Sequence, residues 1–227
     1  MEPIGAVGLR VRHALTRQPL VSILIPTRDA PGLLARCLGS LLERIQYPRW
    51  ELLLMDNGTS DPNALAILTQ ATADSRVRVL RDPRPFNYAA LNNTAAQEAR
   101  GEVLCLLNND TEVLTPDWLD EMLGHLLQER VGVVGAKLLY PDGRVQHGGD
   151  ILGPDGVGRH LHALLPRDAP GYCNRAALAQ ELTAVTAACL LTWKALYRQL
   201  GGLDARHLPI AYNDLDYCLR VRQAGYL

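Results

Sequence analysis

Four short apolar runs, separated by amphipathic stretches, do most to limit how this chain can fold. Leu20 to Ile25, Trp50 to Met55, Val77 to Leu80 and Val103 to Leu107 are β-type runs, mostly apolar along their whole length. That is the pattern of strands covered on both faces. Between them the apolar residues fall at helical spacing. Leu34, Leu38, Leu41, Leu42 and Ile45 form one stripe opened by Pro31, and Asp61-Pro62 caps a second helix that runs to about Ala73. Ala89 to Ala99 is an Ala-rich third helix closed by Gly101, and Pro116 sits at the first turn of a fourth with the stripe Leu119, Met122, Leu123, Leu126 and Leu127. Strand and helix alternate throughout this half. The alternation predicts an α/β fold with a doubly wound, mostly parallel sheet flanked by helices.

The texture changes after Leu127. Val131 to Tyr140 reads as a strand, Pro141-Asp142-Gly143 as a turn, and Val145 to Asp150 leads into a Gly-rich region ending near Gly158. Residues 154–174 read as an excursion or mobile loop. Leu182 to Thr192 returns to strand-like composition, Trp193 to Leu200 is a short helix, and Gly201-Gly202-Leu203-Asp204 is a tight turn. Asp214 to Ala224 is a last helix with Leu215, Cys218, Leu219 and Val221 on its apolar side. This half predicts a smaller antiparallel part beside the parallel sheet. Residues 1–19 are expected to be an N-terminal extension or linker, and 20–227 one domain.

Composition narrows the function classes. With 227 residues and 48% hydrophobic content, the chain can bury a full core. Its net charge of −1 implies no basic face, which disfavours nucleic acid as a partner. Five cysteines, odd in number and widely separated, lack the close spacing of a zinc or redox motif and point to a reduced, cytoplasmic setting. Residues 1–19 lack the continuous apolar segment of a signal peptide, and no stretch approaches the roughly 20 apolar residues of a membrane span.

Chemistry is expected where the strands end. Ligands of open α/β sheets bind beyond the carboxyl ends of the strands. The Val103 to Leu107 run stops at Asn108-Asn109-Asp110, and the i, i+2 spacing puts Asn108 and Asp110 on one side of an extended backbone. Such an oxygen-rich pair can hold a hard divalent cation that bridges phosphate oxygens, or it can be a polar turn that caps the next helix. Asp56, ending the second run, could accept from a base N–H or a ribose hydroxyl; Asp56-Asn57-Gly58 is also an ordinary turn sequence. If Asp56 and Asp110 occupy neighbouring strand ends they repel, and need a cation or a ligand between them. Asp214 lies at a helix start, as an N-cap or as a carboxylate kept ionised by the helix dipole and able to take a proton. Asp216 points elsewhere and reads as structural. Arg84 and Asn87 could touch the base or phosphates, and His147 could sit beside the sugar or be an ordinary loop histidine.

Taken in order, Val21-Ser-Ile-Leu-Ile-Pro26-Thr27, Leu54-Met-Asp56-Asn-Gly-Thr-Ser60-Asp61, Leu107-Asn108-Asn109-Asp110, Gly201-Gly202-Leu203-Asp204, Asn213-Asp214-Leu215-Asp216 with Cys218-Leu219-Arg220, and Ala224-Gly225-Tyr226 resemble the family 2 glycosyltransferases of the GT-A fold. The resemblance runs from about Leu20 to Leu227. It implies that Thr27 and Asp56 line the nucleotide base and ribose, with Asn108 on the ribose side; Pro26, Arg84 and Asn87 complete the expected nucleotide-binding set, with a solvated Arg84 as the alternative. Asn108-Asn109-Asp110 is similar to the family's DxD motif and places Asp110 as ligand of Mg²⁺ or Mn²⁺. Asp214 falls at the family's general base, with Asn213 where Glu is common. The implied partners are a nucleotide-diphosphate sugar donor and a saccharide or lipid-linked acceptor. The implied reaction inverts the anomeric carbon, in cell-surface polysaccharide or glycan synthesis, in the cytoplasm or at the inner membrane face. Family members continue past the last helix with a segment bearing a metal-side histidine, so the domain is expected to be truncated at its C-terminal end.

Three rivals remain in view. A nicotinamide-binding dehydrogenase needs a Gly-x-Gly-x-x-Gly loop after the first strand, where this chain has Pro26-Thr27-Arg28-Asp29-Ala30-Pro31. A sugar nucleotidyltransferase would call for a glycine-rich first loop with a basic residue. A non-catalytic nucleotide-sugar-binding module would share the site and bind without transferring.

Overall fold

A computed structural model describes residues 2–4, 8–156 and 158–227. Twelve strands are assigned in chain order: β1 Glu2–Ile4, β2 Gly8–Arg10, β3 Val21–Thr27, β4 Trp50–Asp56, β5 Val77–Arg81, β6 Val103–Leu107, β7 Val133–Gly135, β8 Leu138–Leu139, β9 Val145–His147, β10 Asp150–Leu152, β11 Gly158–His160 and β12 Cys189–Trp193. The helices are α1 Pro31–Arg44, α2 Pro62–Ala71, α3 Tyr88–Glu98, α4 Trp118–Leu126, α5 Lys194–Gln199 and α6 Asn213–Gln223. A short 3-10 turn covers Tyr172–Asn174.

The central sheet has the order β5-β4-β3-β6-β12-β7. Its first four strands are parallel, and β12 runs antiparallel between β6 and β7. Successive strand residues face opposite ways, and both faces are covered. Ile23, Leu52, Leu54 and Cys105 pack with Leu34, Leu38, Leu68 and Leu123 of α1, α2 and α4. Leu24, Leu53, Leu104 and Leu106 pack with Leu91, Ala95, Leu196 and Tyr217 of α3, α5 and α6. Each leucine so buried contributes about 1.5–3 kcal/mol relative to exposure.

Local chemistry sets the helix starts. Pro31 occupies the first turn of α1, the Asp61 carboxylate accepts from the amides of Asn63 and Ala64, and the Asn87 side chain accepts from Ala90 N–H. Gly101 does not act as a left-handed cap after α3. Glycine is needed there because a Cβ would lie 2.5 Å from the Leu20 carbonyl oxygen.

Four further expectations need correction. Val131 to Tyr140 is broken at Ala136, giving β7 in the central sheet and β8 in a small sheet with β9. Only Cys189–Trp193 of the Leu182 to Thr192 run is strand, inserted antiparallel. Asp56 and Asp110 are not on neighbouring strands, since β3 lies between β4 and β6. On α6 the buried stripe is Asn213, Tyr217, Cys218 and Val221, because the Tyr217 hydroxyl reaches inward to Thr192 Oγ1 at 2.7 Å.

The segment beyond Asp150 is folded. It includes the β10–β11 hairpin, and Lys137 Nζ donates to the carbonyls of Arg167 and Ala176 at 2.8 and 3.0 Å. Residues 10–13 lie along α4: Arg10 and Arg12 pair with Glu121, and the His13 and His125 rings meet edge to face. The described cysteines are all free thiols, with Cys173 exposed and the other four buried. No helix among the described residues is long and apolar enough to cross a membrane.

Candidate active site

A cleft of about 590 Å³ opens where β3 and β6 end and β12 begins. Pro26, Thr27 and Arg28 line it from β3, and Asn108, Asn109 and Asp110 from β6. Phe86 and Tyr88 come from the start of α3, Thr186 to Ala188 from the loop before β12, and Ile210 to Leu215 from the start of α6. Asp150, Gly158 and His160 of the β10–β11 hairpin form the remaining wall.

Asp110 and Asp214, on different elements and far apart in sequence, face this one cavity. The Asp110 carboxylate is exposed and makes no hydrogen bond or ion pair to the described residues. Beside it the Asn109 amide donates to Thr27 Oγ1 at 3.0 Å, fixing the β6 loop against β3. An unpaired carboxylate lining the same cleft as Asn108 offers hard oxygen, of the kind that holds Mg²⁺ or Mn²⁺ together with substrate phosphates. Asp214 sits in the first turn of α6, one residue past Asn213, and Tyr212 enters that helix from a left-handed backbone at φ 61°. Its Oδ2 accepts from Ala187 N–H at 3.0 Å and its Oδ1 from Leu215 N–H at 2.9 Å. Each oxygen keeps one lone pair free, so the carboxylate is oriented and still able to accept. Asn213 is buried, and its amide donates to the Leu208 carbonyl.

The loop Thr186-Ala187-Ala188 ties the site together. Its Ala187 carbonyl accepts from the Tyr88 hydroxyl at 3.0 Å, and its Ala188 carbonyl accepts from Asn108 N–H at 3.1 Å. Thr186 N–H points to His147 Nε2 at 3.2 Å. Burial pushes the Tyr88 hydroxyl well above the ordinary tyrosine range, so it stays a donor. Burial also holds His147 down to about 4, aided by the neighbouring His160, and raises Asp150.

Other expected site residues are placed elsewhere. Asp56 is 2% exposed and does not line the cleft; its carboxylate accepts from Thr59 N–H at 2.7 Å and pairs with Arg81 at 2.9 Å. Arg84 pairs with Asp82, which draws that carboxylate below its usual range, and lines a second, shallower cavity. Asn87 caps α3 and donates to the Ala205 carbonyl, so its flanking aromatics, Phe86 and Tyr88, reach the cleft instead. Asp216 pairs with Arg220 at 2.6 Å, a structural role as expected. His147 is buried behind the wall, and His160 is the imidazole that lines the cavity. Arg28, an exposed cation at the rim, was not singled out from sequence.

The architecture is shared with solved glycosyltransferases. A mannosyltransferase of Pyrobaculum calidifontis, solved with GDP-Man and Mn²⁺, superposes with a TM-score of 0.69 at 18% identity, covering 98% of this chain and 57% of that one. GalNAc-T7, solved with UDP, GalNAc and Mn²⁺, gives a TM-score of 0.68 at 17% identity, covering 93% and 42%. The fold is therefore of the GT-A type. The sequence pattern described as Glycosyl transferase family 2 matches residues 22–177, and the chain belongs to that family. Among curated relatives, the protein y4gI of Sinorhizobium fredii is 49% identical over 92% of this chain, and the O-antigen biosynthesis protein RfbC of Myxococcus xanthus is 38% identical over 96%. The chain spans 23% and 17% of their respective lengths.

Proposed function

We propose that this domain transfers a sugar from a nucleotide-diphosphate donor to an acceptor hydroxyl, with inversion at the anomeric carbon, in the assembly of a surface polysaccharide. The observation that carries the reading is the convergence of Asp110 and Asp214 on one cleft at the carboxyl ends of β3 and β6. Asp110, which lines the cleft together with Asn108, would hold Mg²⁺ or Mn²⁺. When bound, that ion supplies charge neutralisation to the departing diphosphate.

The chain's own groups do the rest. Pro26, Thr27 and Asn108 form the floor for the nucleotide, and Arg28 offers a cation to its phosphates. Asp56, which does not line the cleft, holds Arg81 and the Thr59 turn and so supports the β4 loop rather than touching the nucleotide. Asp214 accepts the proton of the acceptor hydroxyl as its oxygen bonds to the anomeric carbon, and the bond from that carbon to the diphosphate breaks with its electron pair leaving on the phosphate oxygen. The Ala187 and Leu215 amides hold the carboxylate in one orientation meanwhile.

Support for polysaccharide assembly comes from the O-antigen biosynthesis relative and from an Escherichia coli glucosyltransferase acting on GlcNAc-diphosphoundecaprenol, 28% identical over 49% of this chain. That second relative makes a lipid-linked saccharide a fitting acceptor, reached from the cytoplasmic membrane face. Calorimetric titration with UDP-, GDP- and dTDP-sugars, with and without Mn²⁺, tests the reading. Metal-dependent binding of one donor class supports it, and no donor binding in any arm contradicts it.

A further inference from the structure

His147, Asp150 and His160 meet in the wall of the cleft formed by the β8–β9 and β10–β11 hairpins. Two features of the chain bring them together. Gly148-Gly149 turns the backbone between β9 and β10, with Gly149 at φ +98° and the Leu182 side chain filling the place of any Cβ. Only glycine takes that backbone without strain. Across β10 and β11 the register then pairs Asp150 directly with His160.

The outcome is a triangle of ligand-type atoms. His147 Nδ1 and His160 Nδ1 are 2.9 Å apart, Asp150 Oδ1 is 2.7 Å from His160 Nδ1, and it is 3.7 Å from His147 Nδ1. Atoms held roughly 2.0–2.2 Å from one shared ion lie about 3–3.6 Å from one another, and the observed separations bracket that range. Hydrogen bonding satisfies the cluster poorly. With Thr186 N–H pointing to His147 Nε2, the His147 proton is on Nδ1 and directed at His160 Nδ1. The His160 nitrogen is then a lone pair facing an oxygen of Asp150. A cation at the centre answers all three.

We propose that His147, Asp150 and His160 bind one divalent transition-metal ion, separate from the oxygen-ligand site at Asp110. Two imidazoles and a carboxylate select Zn²⁺, Co²⁺ or Fe²⁺ over Mg²⁺. The three protein ligands leave a coordination position open, and Asp150 and His160 both border the cleft that holds Asp214. The cluster therefore borders the cavity shared with Asp214, where an open position would let the ion take a water or an acceptor hydroxyl. Loading moves the His147 proton from Nδ1 to Nε2 and so loosens the Thr186 amide, next to the Ala187 amide that orients Asp214. This site does not depend on sugar transfer.

The test uses the full chain without a polyhistidine tag, stripped with chelator and titrated with Co²⁺ under visible absorption, then with competing Zn²⁺. About one equivalent of Co²⁺ should give d–d bands that Zn²⁺ abolishes. His160→Ala and Asp150→Asn should each weaken Co²⁺ by roughly 100-fold or more, while Asp110→Ala retains it. Circular dichroism of the stripped variants checks that they fold, which the half-exposed position of His160 leads us to expect. Amide exchange at Thr186 should speed up on loading. The proposal is overturned by absence of Co²⁺ bands, by His160→Ala and Asp150→Asn binding like the parent, or by a Thr186 amide indifferent to the ion.

Discussion

Ala187 N–H donates to Asp214 Oδ2 at 3.0 Å, so the loop before β12 and the first turn of α6 set one another's position. The same residue's carbonyl is held by the Tyr88 hydroxyl. Tyr88→Phe removes that hydroxyl and leaves a buried carbonyl without its partner. We expect a stability loss of about 1–3 kcal/mol in urea melts. Transfer should fall severalfold while donor affinity stays within twofold, because the Tyr88 hydroxyl holds Ala187, whose amide orients Asp214, whereas Asn108 is held separately through the Ala188 carbonyl.

Glu51 gives a pH dependence whose sign can be worked out. Burial raises its pKa, but the Ser22 hydroxyl, the Arg100 amide and the Arg78 guanidinium outweigh burial, and the net shift is downward from 4.5. A depressed pKa stabilises the fold fully above the ordinary glutamate value, and the contribution is lost as pH falls through the lowered one. Glu51→Gln should therefore cost about 1–3 kcal/mol at pH 7. In urea melts below pH 4.5 the gap to the parent should close.

Two glycines should respond in opposite directions. At Gly101 a Cβ would lie 2.5 Å from the Leu20 oxygen and 2.8 Å from the Ser22 nitrogen, both backbone atoms that cannot step aside. Gly101→Ala should destabilise by about 1–3 kcal/mol. At Gly39, inside α1, a Cβ would meet nothing within 4 Å. Gly39→Ala should stabilise by about 0.5–1 kcal/mol through helix propensity, read as a rise in melting temperature.

What could be read before the structure was whatever local pattern decides. The runs around Ile23, Leu53 and Cys105 are apolar enough to specify two-sided burial, and Asp61 and Pro31 mark helix starts by their own chemistry. Long-range partners were hidden. Nothing near Asp56 announces that Arg81 will neutralise it, and nothing in Leu182 to Thr192 says that Cys189–Trp193 will insert antiparallel beside β6. Asn87 looked available for a ligand, yet the N-cap preference of asparagine already favoured its turning back to Ala90 N–H. The exposed Phe86 and the half-buried Tyr88 on either side then reach the cleft. The roles of Thr186 to Ala188 rest on backbone groups, which carry no side-chain signature at all.

Asp110 is assigned to the donor's metal ion and Asp214 to the acceptor hydroxyl, and a paired comparison separates them. Calorimetry with the cognate nucleotide-sugar and Mn²⁺, followed by a transfer assay on the same preparations, should show Asp110→Ala losing metal-dependent donor binding. Asp214→Asn should keep donor affinity within about twofold and lose transfer by roughly 10²–10⁴-fold, the scale of general-base catalysis. If Asp214→Asn transfers like the parent, or Asp110→Ala binds donor and Mn²⁺ undiminished, the two carboxylates do not do this work.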